Sequence, residues 1–466
     1  MKNKWYFIVF SACLTQTSCE DFVDVDVPDN RIVSETVFTN DETANSAVIG
    51  IYNELLKADF SNGDFSSVTM LGELAADNFQ TTVINDAMRE FEDNDVLINN
   101  PYNLNLWSSA YNIIYMCNSV IYGLNTFQGV SEKIKHKLMA EAQFVRAFVY
   151  FYLVNLYGDV PLIQTTDYRK NALASRNSIT EVYEFIVEDL ESAAAVLDTA
   201  FDNGERLRAN KFTAIALLAR VHLFLEDWEK AEIFSTQVID SSENYTLLND
   251  LDEVFLANSK EAIWQISPAG RGALSLTTNE ARVFILTGPT PNSQQPVALT
   301  PDFLKAFDEE DLRLKHWVGK LNTENQVYYY PFKYKNNRSE AKIIEYSMVM
   351  RLAEQYLIRA EARAHQGKLT ESITDLDKIR NRANLQLISN NAPNIDKETL
   401  LDSIRKERNR ELFSEWGHRW LDVKRTETAS KILSNKKTSW QDSDLLFPIP
   451  EDEINKNPNL TQNNGY

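Results

Sequence analysis

The stretch RKERNRELFSEWGHRWLDVKR (405–425) carries the densest set of groups able to do chemistry. Glu407, Glu411 and Glu415 fall one helical turn apart on one face, and Arg408, Arg419 and Arg425 can reach neighbouring carboxylates. Two carboxyl groups held roughly 5–10 Å apart are what glycoside hydrolysis uses, one as acid and one as base or nucleophile. That chemistry needs one carboxyl to keep its proton near neutral pH. Arginines around a carboxylate hold it ionised instead, so the pattern reads as a structural ion-pair network and not a catalytic pair. The sequence has no HExxH, glycine-rich phosphate loop, GxSxG or CxxC. Its five histidines (136, 222, 316, 365, 418) are scattered, none at metal-ligand spacing from another. No structural metal, no cofactor and no histidine-dependent catalysis are expected.

Recognition is the other chemistry on offer. Phe, Tyr and Trp total 51 residues, 11% of the chain, and most stand at helix-core spacing, as Phe144, Phe148 and Phe151 do. Phe79, Phe91, Phe284, Trp317, Tyr328, Tyr329 and Tyr330 stand in or beside irregular segments. A flat ring covers the C–H face of a pyranose while amides and guanidinium groups bind its hydroxyls; Asn78, Arg89, Arg271 and Asn279 are placed for the second task. For each ring, packing into the core or a hairpin is the competing reading. In VYYYPF a strand sends Tyr328 and Tyr330 to one face and Tyr329 to the other. The binding set expected from these residues is Asn78, Phe79, Arg89, Phe91, Arg271, Asn279, Phe284, Trp317 and Tyr329. Trp317→Ala is expected to weaken binding and leave the melting temperature unchanged.

These residues must be positioned by a mainly helical chain. Apolar positions recur at three- and four-residue spacing over 102–127, 132–157, 179–198, 211–225, 228–241, 348–366, 370–384 and 396–424. YTLLN, EAIWQIS and NQVYYYPFKYK are short β-rich pieces suited to hairpins. At an offset of 141 residues ARVHLFLEDWEKAEIFSTQVI (219–239) can be laid on AEARAHQGKLTESITDLDKIR (360–380). Ala219 meets Ala360, Ala231 meets Ser372 and Val238 meets Ile379. This is tetratricopeptide-like logic, small residues letting paired helices approach. EAQFVRAFVYFYLVNLYGDVPL (141–162) supplies the first helix of a third unit. Ser267 to Pro301 holds five of the thirteen prolines within 35 residues, with Gly270, Gly272 and Gly288, and reads as a long loop excursion off the helical body. A second irregular, polar stretch runs from Asn78 to Asn105.

The net charge of −20 argues against nucleic acid and anionic lipid surfaces, which select basic patches. At the N-terminus, Lys2 and Lys4 precede an apolar run from Trp5 to Leu14, too short to span a bilayer as a helix. The apolar run Phe144 to Leu156 is interrupted by Arg146 and Asn155 and reads as a buried core helix. Of the three cysteines, Cys13 lies within the targeting segment and Cys117 has helical core spacing, as a buried small hydrophobe. Cys19 follows Thr17 and Ser18, as at a lipoprotein cleavage site, though Gln16 stands where an aliphatic residue is usual; local sequence leaves lipidation and ordinary signal cleavage both open.

Taken in order, the segments resemble the SusD/RagB-type nutrient-binding lipoproteins of the Gram-negative outer membrane. CEDFVDVDVPDNRIVSETVFTNDETANSAVIGIYNEL is similar to the family's N-terminal block, and EAQFVRAFVYFYLVNLYGDVPLI to its most recognisable internal motif. VMRLAEQYLIRAEARAHQG with IRNRANL, then ERNRELFSEWGHRWLDVKR, then FPIPEDEINKNPNLTQNNGY resemble the later blocks. The resemblance covers Cys19 to Tyr466. It implies a signal peptide over 1–18 and one domain over 19–466, with an N-terminal part to about 225 and a C-terminal part from about 226. It implies an all-α fold of tetratricopeptide-like repeats with an irregular, ligand-carrying half. The family's acylated cysteine maps onto Cys19, and Glu20–Asp21 is similar to signals for outward-facing lipoproteins. The implied partner is a SusC-like TonB-dependent β-barrel transporter, to which an oligosaccharide, or in some members a peptide, is delivered without catalysis. Arg146, Asp159, Glu411, Arg419 and Trp420 fall in scaffold motifs.

Overall fold

A computed structural model describes residues 34–269, 276–338 and 342–466. Its longer helices, numbered here in chain order, are α1 (Asp41–Lys57), α2 (Val68–Ala75), α3 (Asp86–Asp93), α4 (Pro101–Thr126), α5 (Glu132–Tyr157), α6 (Ile179–Val196), α7 (Lys211–Phe224), α8 (Trp228–Ile239), α9 (Asn279–Phe284), α10 (Leu352–His365), α11 (Leu369–Arg382), α12 (Lys397–Leu412) and α13 (His418–Arg425). Among the described residues six short strands pair two by two, all antiparallel: β1 (Phe79–Thr81) with β3 (Val297–Leu299), β2 (Ala262–Ile266) with β6 (Ser347–Arg351), and β4 (Val318–Asn322) with β5 (Val327–Pro331). No described helix is long and apolar enough to cross a membrane.

Local chemistry sets the helix starts. Asn40 accepts from Thr43 N at 3.0 Å, Ser178 and Glu181 form a capping box on α6, and Asn100 caps α4 with Pro101 in its first turn. The internal repeat is present in three dimensions. α7 and α10 begin 141 residues apart, as do α8 and α11, and the turns between them match residue for residue. Asp227 N donates to His222 O at 3.0 Å, and Lys368 N to Arg363 O at 2.9 Å. The residue before each donor is left-handed: Glu226 at φ +56° and Gly367 at φ +77°. Ala219, Ala231 and Ala362 pack with Leu223 and Ile358 where the two units meet. Helices α5 and α6 form the earlier pair. Arg146 crosses between them to Asp189, with Nε to Oδ2 at 2.9 Å, and its Nη1 donates to Asn118 on α4 at 2.6 Å.

The largest core lies under these pairs. Phe148 packs its ring 4.9 Å from Trp264 and 5.1 Å from Trp416, and Phe60 stands 5.7 Å from Tyr152. Trp416 lies in the turn from α12 to α13, where Ser414 (φ +53°), Trp416 (+48°) and Gly417 (+63°) are all left-handed. Helix α2 holds that turn: Ser414 N donates to Glu73 Oε1 at 3.1 Å and Trp416 N to Thr69 Oγ1 at 3.0 Å. Only a well-determined surrounding fold sustains such backbone at the two non-glycine residues, Ser414 and Trp416, at a cost of about 1–3 kcal/mol each.

Three sequence expectations are corrected here. The described part of 267–301 does not leave the body: α9 and β3 fold back into it, with Ala281, Val283, Phe284 and all of β3 buried. The stretch 78–105 contains β1, α3 and the start of α4. YTLLN forms no strand. Phe144 to Leu156 is a core helix, and the buried Cys117 thiol is pushed up to about 12 by desolvation.

Candidate functional site

The carboxylates of α12 enter a closed ionic core. Arg313 meets Asp311 at 2.8 Å, Glu407 at 2.7 Å and Glu411 at 2.9 Å. Arg351 meets Glu261 at 3.0 Å, Glu411 at 2.5 Å and Glu415 at 2.8 Å. Arg382 bridges Glu261 and Glu411, and Lys333 Nζ lies 2.5 Å from Glu415. All of these side chains are buried. Burial alone would raise the Glu411 carboxyl, but the guanidinium groups of Arg382, Arg351 and Arg313 overcome that and hold it far below the carboxylate range. A group so held cannot donate a proton at neutral pH. The arginines picked out beside the glutamates pair elsewhere: Arg408 with Asp422, Arg419 with Asp77, and Arg425 with Glu361 and Asp422.

Two open grooves meet at Asp77 and Asp302. The larger, about 540 Å³, has an apolar floor of Phe303, Val423 and Ile432 between α12 and the segment after α13. Its walls carry Asn409, Thr426, Thr428 and ion-paired side chains such as Lys406 with Asp402 at 2.7 Å. The smaller, about 410 Å³, runs from Gln80 and Glu92 past Thr300 to Asn435 and Lys437. Burial alone would raise Asp77 at the junction, but Arg419 Nε at 2.6 Å and Lys436 Nζ at 2.8 Å hold it down to about 2. Hydroxyls, amides and paired charges over apolar patches suit a neutral, many-hydroxyl ligand. Among the described residues no cluster of His, Cys, Asp and Glu could hold a metal ion.

Most of the expected binding residues are turned inward. Trp317 is 0% exposed, donates through Nε1 to Leu251 O at 3.0 Å, and has Lys333 Nζ 4.7 Å from its ring centre. Phe79 and Phe284 are buried edge-to-face against each other, centroids 5.3 Å apart. Phe91 is buried against Phe447 at 5.0 Å. Asn78 is buried and donates to Glu73 at 2.7 Å and Asn409 at 3.0 Å, tying α2 to α12. Asn279 is buried and donates to Asn62 O at 2.7 Å. These six are scaffold, because each finds its partner inside the fold. Two residues keep access to solvent: Arg89 is exposed on α3, whose end lines the smaller groove, and Tyr329 is part-buried on β5, which packs against β3. Tyr328 and Tyr330 are also part-buried on β5. Arg271 and Cys19 lie outside the described residues. The groove residues Asn409, Thr426, Thr428 and Lys436 were not picked out from sequence, since isolated polar residues at helix ends carry no local signal.

Residues 21–223 match the family described as "Starch-binding associating with outer membrane", and residues 316–466 match the one described as "SusD family". SusD-like protein P2 of Formosa agariphila is 28% identical, with the whole of both chains covered. The starch-binding protein SusD of Bacteroides thetaiotaomicron is 25% identical over 74% of this chain and 75% of its own. A SusD superfamily crystal structure from Bacteroides vulgatus superposes with a TM-score of 0.80 at 21% identity, covering 91% of this chain and 99% of the other.

Proposed function

Because the chain belongs to the SusD family, we propose that it is a non-catalytic receptor of the outer membrane that holds an oligosaccharide or polysaccharide for a SusC-like TonB-dependent transporter. The observation that carries this reading is the similarity, over three quarters of each chain, to a protein named for binding starch. The ionic core supports its non-catalytic half, since the paired carboxylates of α12 are consumed by guanidinium groups. In this reading the ligand lies along the two grooves that meet at Asp77 and Asp302 and reaches the solvent-accessible Arg89 and Tyr329, which line neither groove. Acylation of Cys19 supplies the anchor, and three acyl chains hold far more firmly than one.

Affinity gel electrophoresis against soluble starch, laminarin and xylan tests the binding. Retardation by at least one polysaccharide, reduced by Arg89→Ala with Tyr329→Ala, is expected; free migration on all three overturns the reading. Radiolabelled palmitate should enter the exported chain and be absent from Cys19→Ala. Label in both proteins, or in neither, removes the anchor.

A further inference from the structure

A third groove lies between α6 and the α7–α8 turn. At about 980 Å³ it is larger than either of the first two. Helix α6 presents two parallel stripes to it. Ile179, Tyr183 and Val187 recur every four residues and form an apolar floor with Phe224 and Leu225 of the facing turn. Glu184, Glu188 and Glu191 follow one helical turn apart along the α6 rim, all exposed, and Glu226 and Asp227 mark the other rim. Lys230, 3.6 Å from Asp227, is the one lysine of the lining, which holds no arginine. Ile179 is 45% and Leu225 42% exposed, high for large apolar side chains rimmed by charge. His222, 2% exposed, also lines the groove. Its Nδ1 stands 3.3 Å from Asp227 outside hydrogen-bond geometry, and Nε2 has no partner among the described residues.

We propose that this groove docks a basic amphipathic helix of another protein. Ile179 to Ser192 spans about 20 Å at 1.5 Å per residue, room for roughly four helical turns. An apolar strip between acidic rims fits a helix whose Leu-type face enters the groove while Lys or Arg at one-turn spacing meet Glu184, Glu188 and Glu191. Charge excludes the nearer occupants. A second copy carries −20. The segment after Cys19 offers Glu20, Asp21, Asp24, Asp26 and Asp29 against Arg31 alone. The partner is therefore a different, basic protein, and the inference goes beyond the receptor reading, holding whichever glycan is bound.

Fluorescence anisotropy with a labelled synthetic Leu/Lys amphipathic peptide of about 14 residues tests it, with its Leu/Glu counterpart as control. The full-length protein should bind the first and ignore the second. Combined Glu184→Gln, Glu188→Gln and Glu191→Gln should weaken binding about tenfold or more, and so should Leu225→Ser, which changes no charge. A control neutralising the exposed Glu42, Asp86 and Glu132 should bind as the parent does, and polysaccharide retardation should be unchanged in every variant. Equal binding by the groove variants and the parent, equal loss in the control, or no binding of the Leu/Lys peptide overturns the proposal. Polysaccharide retardation is read separately, so failure of the receptor reading is distinguishable.

Discussion

Replacing Trp317 by alanine separates a ligand platform from a structural ring. The indole is fully buried, with Phe255 edge-on at 5.6 Å and the Lys333, Arg351 and Arg382 cations 4.7, 5.6 and 5.9 Å from its centre. Truncating a buried tryptophan costs about 3–5 kcal/mol through lost transfer energy and the cavity left. Here the loss adds an unpaired Leu251 carbonyl and weaker caging of three desolvated cations, so about 5 kcal/mol is expected. With an unfolding entropy of roughly 2.1 cal/mol/K per residue, a chain of this size should melt about 5 °C lower, with its urea midpoint shifted in the same sense. Affinity electrophoresis of the folded variant should give the parent's retardation. A parental melting temperature with weakened glycan retention would refute this reasoning and return Trp317 to the binding surface.

Three further outcomes follow from the same packing. Glu411→Gln strips one carboxylate from three guanidinium groups and should cost about 3–5 kcal/mol in urea unfolding, the price of breaking a buried ion network; a neutral result would mean the core is hydrated. Glu226→Gly relieves a left-handed, exposed non-glycine residue and should stabilise by about 0.5–1 kcal/mol after the entropy glycine adds to the unfolded chain, whereas Gly367→Ala at the equivalent turn should destabilise; shifts of the same sign in thermal melts would contradict the matched-turn argument. Burial raises the Glu73 carboxyl to about 7, against contacts from Asn78 and Ser414. Above pH 4.5 the unfolded chain has lost this proton while the folded chain keeps it to about pH 7, so raising the pH through that window lowers stability. Glu73→Gln should flatten that fall and stabilise the protein at pH 8, measured as urea midpoints from pH 4 to 8.

Periodicity located α4, α6, α8 and α11 to within two residues because each has one buried face and one wetter one, whereas 396–424, read as one helix, is α12 and α13 broken at the left-handed turn of Ser414 to Gly417. It failed where that contrast is missing. Every residue of α2 is buried, so V-T-M-L-G-E-L-A has no stripe, and α3 buries only Met88 and Phe91. The helix expected from 348 starts at Leu352, since Ser347–Arg351 is taken by pairing with β2, a partner some 85 residues away in sequence. The glutamates of α12 were read correctly as structural; Glu407 has one local partner in Arg410, but Arg313, Arg351 and Arg382, the partners of Glu411, lie 29 to 98 residues off, beyond any local pattern.

The binding residues were harder to read for a related reason. An aromatic beside prolines is equally consistent with a platform and with a plug, and only distant contacts decide between them. Phe79, Phe91, Phe284 and Trp317 became plugs because irregular backbone leaves gaps that large rings fill, and a ring that fills a gap loses the face a sugar would need. The same argument locates where recognition remains available. Exposed polar residues of the groove walls, such as Lys406 and Lys431, can change without disturbing the core, whereas the buried ionic cluster cannot. In the receptor reading, changes along the groove walls would alter the ligand while the buried pairing of Arg351 with Glu411 stays intact, which is why the scaffold blocks speak clearly in this sequence and the ligand does not.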